Sequence, residues 1–310
     1  MFALKHSARR ITQGSAKIAQ ERLFNTDSAI VNQLDRFGEL MEKLGVPKEQ
    51  YSAKDGVQTK SPLTGEVLAT MKEDNSEHVA KKAKQASQAA KEWAKFSPKE
   101  RMQYNDIVGQ VLKEREGDHK ELLSIVTAKP KDHAYGEIEE ASVIAQGASK
   151  SYQAYLKHQE DSKVKTQDGK QEIAQDRDAT GVFAMPGAYN FPFLISGGLL
   201  HSLPIMVSGG AAVGAPNPVN SAMSLAVEQT FEEANKRFKE QTGKKVPEGL
   251  MSFVQGREAA QKLVKDENIN GGIVFTGSSG VDDKISELAH NRKLKYIGEG
   301  GGNNPILLTS

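Results

Sequence analysis

The chain has 310 residues, which is enough for one large domain or two modest ones. Its 41 basic and 40 acidic side chains nearly cancel, so the charge gives no reason to expect a nucleic acid partner. Polar residues and glycines interrupt the longest apolar stretch, residues 191–207, and we therefore predict no membrane span. Cysteine is absent, which excludes disulfides, thiolate metal sites and a cysteine nucleophile within this sequence, and no metal site is predicted.

Residues 1–27 are predicted to be a basic leader or tail. Up to residue 24 this segment has one acid, Glu21, against five basic side chains, which are Lys5, Arg9, Arg10, Lys17 and Arg22. A mitochondrial transit peptide has this composition, but so does a solvated leader, which we favour. The expected location is therefore the cytoplasm, with the mitochondrion as the alternative.

Residues 28–158 are predicted to form the helical part of a larger domain. Helical spacing over 28–45 ends at Gly45, and two short strands between Gln58 and Met71 enclose a Pro-Leu-Thr-Gly turn. Four further helices should follow and pack as a layer on a sheet. The first has its cap at 74–77 and Trp93 in its core, the second opens with a capping box at 97–100, and the others cover 119–127 and 138–157.

The next segment, residues 159–178, is strongly polar and contains one turn signal, Asp168–Gly169. We interpret it as a protruding, exposed β-hairpin. Two roles stay open for such a hairpin. It either covers a partner subunit in an oligomer or is an exposed ribbon that serves no partner.

Residues 179–310 alternate short β-type runs with helical patterns, which predicts an α/β fold with a doubly wound, Rossmann-like parallel sheet. The last unit begins with the strand Gly272–Phe275 and continues through a glycine turn and a helix to the strand Leu294–Ile297. Its turn offers free backbone N–H groups of the kind that bind dinucleotide phosphates. Glu299, which we expect to be a buried carboxylate, follows in a run of glycines.

Three motifs resemble those of the aldehyde dehydrogenase superfamily in order and spacing, and the resemblance extends from about residue 37 to residue 310. They are Tyr189–Asn190–Phe191–Pro192, Phe275–Thr276–Gly277–Ser278 and Glu299–Gly300–Gly301–Gly302. Two details, Gly214–Ala215–Pro216 and Asn303–Asn304, are similar to antiquitin-type members, which are named for α-aminoadipic semialdehyde oxidation.

The resemblance implies two catalytic positions. Asn190 would donate its side-chain amide to an oxyanion, and Glu299 would be the general base that activates water to hydrolyse a thioester. Without the resemblance, Asn190 would be a turn residue bonded to its own backbone, and Glu299 a solvated loop acid. His201, in an apolar helix, is expected to be a hydrogen-bonded core histidine.

The resemblance also implies an NAD or NADP site, with an open preference between the two. Its cofactor positions would be Gly187, Tyr189, Val213, Ala215, Pro216, Gly256, Phe275, Thr276, Gly277, Ser278, Val281 and Gly301. Two positions depart from the family pattern: Val213 stands where a ribose-binding lysine is expected, and Asp282 where a glycine is expected. A carboxylate at a helix N-terminus opposes a pyrophosphate there, so we predict weak cofactor binding, about millimolar, or roughly −4 kcal/mol.

The nucleophilic cysteine and the catalytic domain that carries it would follow Glu299 in the family, and this sequence lacks them. We therefore interpret the chain as the cofactor-binding part of an NAD(P)-dependent aldehyde dehydrogenase that is inactive alone. The complete enzyme would bind NAD(P) and an aldehyde or semialdehyde, with no nucleic acid or membrane, and form a homo-oligomer. The alternative is a degenerate, non-catalytic relative that senses nucleotides or binds subunits.

Overall fold

The structure is a computed structural model that describes residues 33–165, 172–173, 181–302, 305 and 307. The predicted leader, residues 1–27, lies outside the described residues. None of the described helices has the length and apolar character needed to cross a membrane.

The described helices are residues 33–43 (α1), Ser76–Trp93 (α2), Pro98–Glu114 (α3), Glu116–Thr127 (α4), Lys131–Asp161 (α5), Leu199–Val207 (α6), Ala222–Thr242 (α7), Arg257–Leu263 (α8) and Ser279–Asn291 (α9). The strands are Val57–Lys60 (β1), Val67–Met71 (β2), Val164–Lys165 (β3), Glu172–Ile173 (β4), Val182–Pro186 (β5), Ala211–Ala215 (β6), Met251–Phe253 (β7), Gly272–Thr276 (β8) and Lys295–Glu299 (β9).

The predicted doubly wound sheet is confirmed. Five parallel strands lie in the order β7-β6-β5-β8-β9, so the chain builds outward from β5 in one direction and then returns to build in the other. The three inner strands, β6, β5 and β8, are almost fully buried, as expected for a parallel sheet covered on both faces. The last strand, β9, lies at one edge and is mostly exposed.

Local signals in the N-terminal half are confirmed. Gly45 has φ +87° and closes α1 with paired backbone bonds from Gly45 and Val46 to the preceding turn. Asn75 caps α2 by accepting the His78 N–H, and Ser97 with Glu100 forms the complete capping box of α3. Trp93 is fully buried and donates its indole N–H to the Met206 carbonyl at 2.7 Å.

The predicted helical layer needs one correction. Of the four helices, α2 packs on strands β5, β6 and β7, whereas α3 packs mainly on α5, α6 and α7 and α4 mainly on α5 and α7. Three of the four helices therefore form a second layer. Sequence periodicity reports that a helix buries one face, but not whether a sheet or another helix covers that face.

Two helices differ from their predicted bounds. The long helix α5 begins at Lys131, directly after Pro130, because Ala128 closes α4 in the left-handed region at φ 55°. Its first turns are polar and therefore lack the apolar periodicity that marked its centre. Between the first two β-type runs of the C-terminal half, residues 193–206 have a helical pattern, but the helix is regular only from Leu199, since the preceding residues form turns.

The predicted hairpin is described only in part. Helix α5 continues to Asp161, into the range assigned to the hairpin, and then β3 and β4 pair antiparallel with Val164 opposite Ile173. The turn signal at Asp168–Gly169 lies outside the described residues. The antiparallel pairing agrees with a hairpin, and its role in an oligomer stays a prediction.

His119 is a fully buried histidine in α4 whose ring lies 4.8 Å from the Phe193 ring, measured between centroids. Neither ring nitrogen has a hydrogen-bond partner among the described residues. Burial lowers its pKa to about 3, with a smaller contribution from the charge of Arg115. The imidazole is therefore neutral and poorly compensated, which destabilises the fold.

We expect His119 to make the protein acid-sensitive. Because its pKa is depressed in the folded state, the unfolded chain binds the proton first, and stability falls as pH drops below about 6.5. Between pH 6.5 and 4.5 the loss from this residue should be about 2 kcal/mol in the free energy of unfolding. Urea unfolding of wild type and His119→Leu across this range checks it. The same loss in both proteins, or its removal by the exposed-residue control His133→Leu, would contradict the prediction.

Candidate functional site

The carboxyl ends of the five parallel strands define one edge of the sheet. After β5 the chain adds strands on one side of the sheet, and from β8 onward it adds them on the other side. Because β5 and β8 are neighbours, the loops that follow them diverge to opposite faces of the sheet. A crevice at such a switch point is where doubly wound folds bind their ligands. Most of the site residues predicted from sequence follow β5, β6, β8 or β9 at this edge.

The loops after β5 and β6 are joined by close backbone contact. Gly187 N–H donates to the Ala215 carbonyl at 3.1 Å, and a Cβ at Gly187 would lie 2.5 Å from the Ser196 Cα. The Ser196 hydroxyl donates to Ala188 O at 2.7 Å and accepts from Asn217 N–H at 3.1 Å. Ser196, which sequence reasoning missed, thus holds the two loops together, and Gly187 is required by the close approach.

Asn190 lies in the turn that follows β5 and is exposed. Its side chain has no hydrogen-bond partner among the described residues, so it does not bond its own backbone as an ordinary turn asparagine would. The neighbouring Tyr189 is 64% exposed, and its carbonyl accepts from the buried side chain of Asn220. The Asn190 amide is therefore a free donor at the carboxyl edge.

The loops after β8 and β9 are also joined. Gly277 N–H donates to the Glu299 carbonyl at 3.1 Å, and Gly301 N–H donates to the Ser279 hydroxyl at 3.2 Å. A Cβ at Gly277 would lie 2.5 Å from the Phe275 ring, so this turn also needs glycine. Phe275 is buried. The Thr276 hydroxyl is also buried, and it has no hydrogen-bond partner among the described residues.

Helix α9 begins directly beside this second pair of loops. Its N-cap, Ser278, is exposed and makes no side-chain capping bond, and Val281 in the first turn is 45% exposed. The first turn of α9 thus lies beside the loop that follows Glu299, which Gly301 joins to Ser279. A helix N-terminus in this position favours a bound anion.

Glu299 ends β9 opposite Thr276 and is exposed, which corrects the expectation of a buried carboxylate. It is exposed because β9 is the edge strand of the sheet. Strands β5 and β9 are separated by β8 alone, so the loops that carry Asn190 and Glu299 start about 10 Å apart. Strand β8, with Thr276 at its end, lies between them.

The carboxylate of Asp282, in the first turn of α9, lies against the backbone at the end of β9. It accepts from the Tyr296 hydroxyl and lies so close to Gly298 that a Cβ there would be 2.5 Å from Asp282 Oδ1. Burial, with help from this bond, raises the pKa of Tyr296, which therefore stays a neutral donor. A negative charge thus lies at the helix end where a phosphate would otherwise be favoured.

Three predicted cofactor positions lie away from the free surface of this edge. Val213 is fully buried in the middle of β6, which continues to Ala215. From Val213 only a longer side chain could reach the edge. Pro216 is buried after β6, and Gly256, at φ +110°, starts α8 with the Glu73 carboxylate packed where its Cβ would be.

His201 is a partly buried histidine in α6 and differs from its predicted role. Its Nε2 is buried with no hydrogen-bond partner among the described residues, so it is not a hydrogen-bonded core histidine. Burial lowers its pKa, and the Glu299 carboxylate opposes this shift. The two groups are thus electrostatically coupled at the carboxyl edge, which no sequence signal indicated.

A separate cavity of about 680 Å³ lies between α5 and α6. Apolar side chains line most of it, including Ile144, Leu200 and Val207, and Lys295 at the start of β9 closes one side. It therefore lies away from the carboxyl edge.

Among the residues that the structure describes, no group of three or more His, Asp or Glu side chains is arranged to hold a metal ion.

Residues 48–310 match the aldehyde dehydrogenase family. The chain belongs to this family. An N-succinylglutamate 5-semialdehyde dehydrogenase from Escherichia coli O139:H28 is 25% identical over 251 residues, which are 80% of this chain and 47% of that protein. The chain thus spans about half the length of the curated relatives it matches.

Solved structures agree on the fold. HpcC from Thermus thermophilus has a TM-score of 0.71 at 17% identity over 87% of this chain and 52% of its own. A glyceraldehyde-3-phosphate dehydrogenase from Methanocaldococcus jannaschii, complexed with NADP, has a TM-score of 0.70 at 22% identity over 82% of this chain and 52% of its own. At these identities the likeness supports the aldehyde dehydrogenase fold alone.

The coupling between His201 and Glu299 predicts a measurable shift. Removing the carboxylate charge with Glu299→Gln should lower the pKa of His201 further, because a nearby negative charge stabilises the imidazolium. Titration of the histidine ring carbons by NMR, with His201 assigned from His201→Leu, measures it. An unchanged or raised pKa in Glu299→Gln would contradict the coupling, and Glu287→Gln on the exposed side of α9 is the control.

Proposed function

We propose that this chain is the NAD(P)-binding part of an aldehyde dehydrogenase that oxidises an aldehyde to a carboxylic acid. The observation that carries the proposal is the placement of Asn190 and Glu299 on either side of the switch-point crevice, in a chain of this family. A free amide donor and an exposed carboxylate at the same edge of the sheet suit a reaction in which an oxygen gains charge and a water loses a proton.

The two residues have distinct roles. Asn190 is the donor to the substrate oxygen, a role supported by its lack of any other partner among the described residues. Glu299 is the base, a role supported by its exposure at the open edge of the sheet.

The residues present fit a nicotinamide dinucleotide in part. The close-packed glycine loops at 187 and 277 and the unpartnered hydroxyl of Thr276 suit a planar polar ring in the crevice. Bound NAD(P)+ would supply the oxidant for the aldehyde carbon. The carboxylate of Asp282 opposes the pyrophosphate, and Val213 offers no cation, so we infer weak binding. No acidic side chain stands near Pro218, where the family's residue that discriminates at the ribose would lie, so the choice between NAD and NADP stays open.

The complete enzyme needs a thiol that this sequence, with no cysteine, does not contain. We propose that a cysteine-bearing domain, absent from this sequence, supplies it, and that the complete protein is a homo-oligomer. We favour a semialdehyde as substrate. Support for this comes from the antiquitin-like details at Gly214–Pro216 and from relatives that are named for N-succinylglutamate 5-semialdehyde.

A second candidate is a degenerate relative that binds a nucleotide or a subunit without catalysis. Asp282 and Val213 favour it, because both weaken the cofactor site while leaving the fold intact. Ile297 of edge strand β9, which is 54% exposed, would then contact a partner. The two candidates differ in whether a cysteine-bearing domain acts with this chain.

We expect calorimetric titration of this chain with NAD+ or NADP+ to give a dissociation constant near ~1 mM. Asp282→Asn removes the charge and keeps an acceptor for Tyr296, so affinity should rise by about two- to fivefold, the effect of one charge at a helix N-terminus. Asp282→Gly should raise it at least as much, and Glu287→Gln should leave it unchanged. Micromolar binding by wild type, or no gain in Asp282→Asn, would refute this account.

The intact mass of the protein in its native host separates the two candidates. A mass well above 33.7 kDa, with a cysteine in the additional sequence, is the expected result. The purified native protein should then reduce NAD(P)+ in the presence of a semialdehyde, while this chain alone should not. A native mass at or below 33.7 kDa would favour the degenerate relative.

A further inference from the structure

The turn that follows Asn190 begins at a residue that has no side-chain cap to offer. The carbonyl of Phe191 accepts the N–H groups of Ile195 and Ser196, so this helix-like turn begins at Phe191. At such a start the first N–H groups have no partner within the turn, and a side-chain oxygen of the first residue usually accepts one of them. Phe191 has no such oxygen, and Pro192 has no N–H to satisfy. The N–H groups that come next therefore need an acceptor from elsewhere in the chain.

Glu137 of α5 supplies this acceptor. Its Oε1 accepts the Phe193 N–H at 2.8 Å and the Leu194 N–H at 3.2 Å. Phe193 and Leu194 are both buried, so without Glu137 two buried N–H groups would lack a partner. Glu137 thus does from 56 residues away what a serine or an asparagine at the start of a helical turn does locally.

Lys129 compensates the charge of Glu137. The Glu137 side chain is only 1% exposed, and its Oε2 pairs with the Lys129 ammonium at 2.5 Å. A charge is kept inside a protein only when it is paired and hydrogen-bonded, and the two oxygens of Glu137 meet that condition. The same ammonium lies 4.6 Å from the centroid of the Phe191 ring, which is a cation–π contact with the first residue of the turn. The Lys129–Glu137 pair therefore contacts the turn both at this ring and at its backbone.

Asn190 lies outside this turn, directly before its first residue, and its neighbours hold it on both sides. On one side, the carbonyl of Tyr189 accepts from the buried side chain of Asn220. On the other side is the turn that Glu137 caps. The Asn190 side chain has no hydrogen-bond partner of its own among the described residues. Its place at the carboxyl edge is therefore set by the backbone on either side of it.

We propose that Glu137, neutralised by Lys129, is a positioning residue: it caps the turn that begins at Phe191 and so fixes where the chain places Asn190. The inference rests on the proposed function, in which Asn190 is the donor to the substrate oxygen. Such a donor stabilises a developing charge only when it is held in place before the charge appears. Asn190 makes no side-chain bond that would hold it, so the capped turn beside it has this role.

Amide hydrogen exchange followed by NMR tests the cap. In Glu137→Leu, which removes both oxygens, the Phe193 and Leu194 N–H groups should exchange about tenfold faster than in wild type, because two buried donors lose their acceptor. The N–H groups of β5 report global unfolding, and the tenfold change is counted relative to theirs. Glu137→Gln keeps an acceptor oxygen and should stay within about threefold of wild type. Exchange in folded Glu137→Leu that is unchanged relative to β5 would overturn the proposal.

A second measurement separates positioning from stabilisation alone. The ¹H–¹⁵N signals of Asn190, from its backbone and its side-chain NH₂ group, should move or broaden in Glu137→Leu and return toward wild type in Glu137→Gln. Glu140→Gln, an exposed position on the same helix, is the matched control and should leave them unchanged. If Glu137→Leu unfolds at lower urea concentration but keeps the wild-type Asn190 signals, Glu137 only stabilises the fold and the proposal is wrong.

Lys129→Met replaces Glu137→Leu if the latter does not fold. It keeps the carboxylate but removes both its counter-charge and the contact with the Phe191 ring. The Asn190 signals should then move in the same direction as the loss of the cap requires, toward those of a more exchangeable turn, with faster exchange of the Phe193 N–H. Wild-type signals and wild-type exchange in Lys129→Met would contradict the proposal.

Neither measurement requires a nucleotide. Failure of the chain to bind NAD(P)+ would therefore count against the proposed function and leave the capping result unaffected. Conversely, nucleotide binding with Asn190 signals that do not respond to Glu137→Leu would keep the proposed function and remove only the positioning role.

Discussion

The parallel pairing of β5 with both β6 and β8 is the constraint on which the candidate site depends. It brings the carboxyl ends of strands that are distant in sequence to one edge, and it opens the crevice between the loops at Gly187 and Gly277. Each loop is then bonded to the end of the neighbouring strand, at Ala215 and Glu299. The positions of the polar groups thus follow from backbone pairing before any side-chain contact is considered.

Sequence patterns predicted the architecture well because its signals are local. The caps at Gly45, Asn75 and Ser97 are set by backbone groups a few residues away, and the alternation of strands and helices fixes a parallel sheet. The second helical layer was not predictable, since amphipathic spacing does not name the element that covers a face. The start of α5 was missed because its first turns are polar and are set by Pro130.

The candidate site was predictable only where a motif names a residue. Asn190 and Glu299 were found through their neighbours in sequence, but Glu137, Ser196 and His201 were not, because each acts across a long separation in the chain. Glu137 lies 56 residues before the Phe193 N–H that it accepts, within a helix where it resembles any other acidic residue. Long-range contacts of this kind leave no trace in local spacing.

The two ends of the crevice differ in whether their polar groups have hydrogen-bond partners. At one end polar groups remain free or unsatisfied among the described residues: the Asn190 amide, the Thr276 hydroxyl and His201 Nε2. Buried polar atoms without partners, such as those of Thr276 and His201, destabilise a fold unless a water, an ion or a ligand compensates them. At the other end the Asp282 carboxylate accepts a hydrogen bond from the Tyr296 hydroxyl, which stabilises the junction of α9 and β9. The charge of this carboxylate opposes a bound phosphate.

This asymmetry argues against simple decay of the whole site. Pairing or removing an unpartnered buried group stabilises a protein, so stability alone gives no reason to keep such groups. Instead, the buried Lys129–Glu137 pair still supports the Asn190 turn at the cost of holding a carboxylate in the interior. The groups that would face the reacting carbon are the ones kept free, while the groups that would hold the phosphates are weakened. A site of this kind suits a chemistry that depends more on placing the reacting groups than on tight retention of the cofactor.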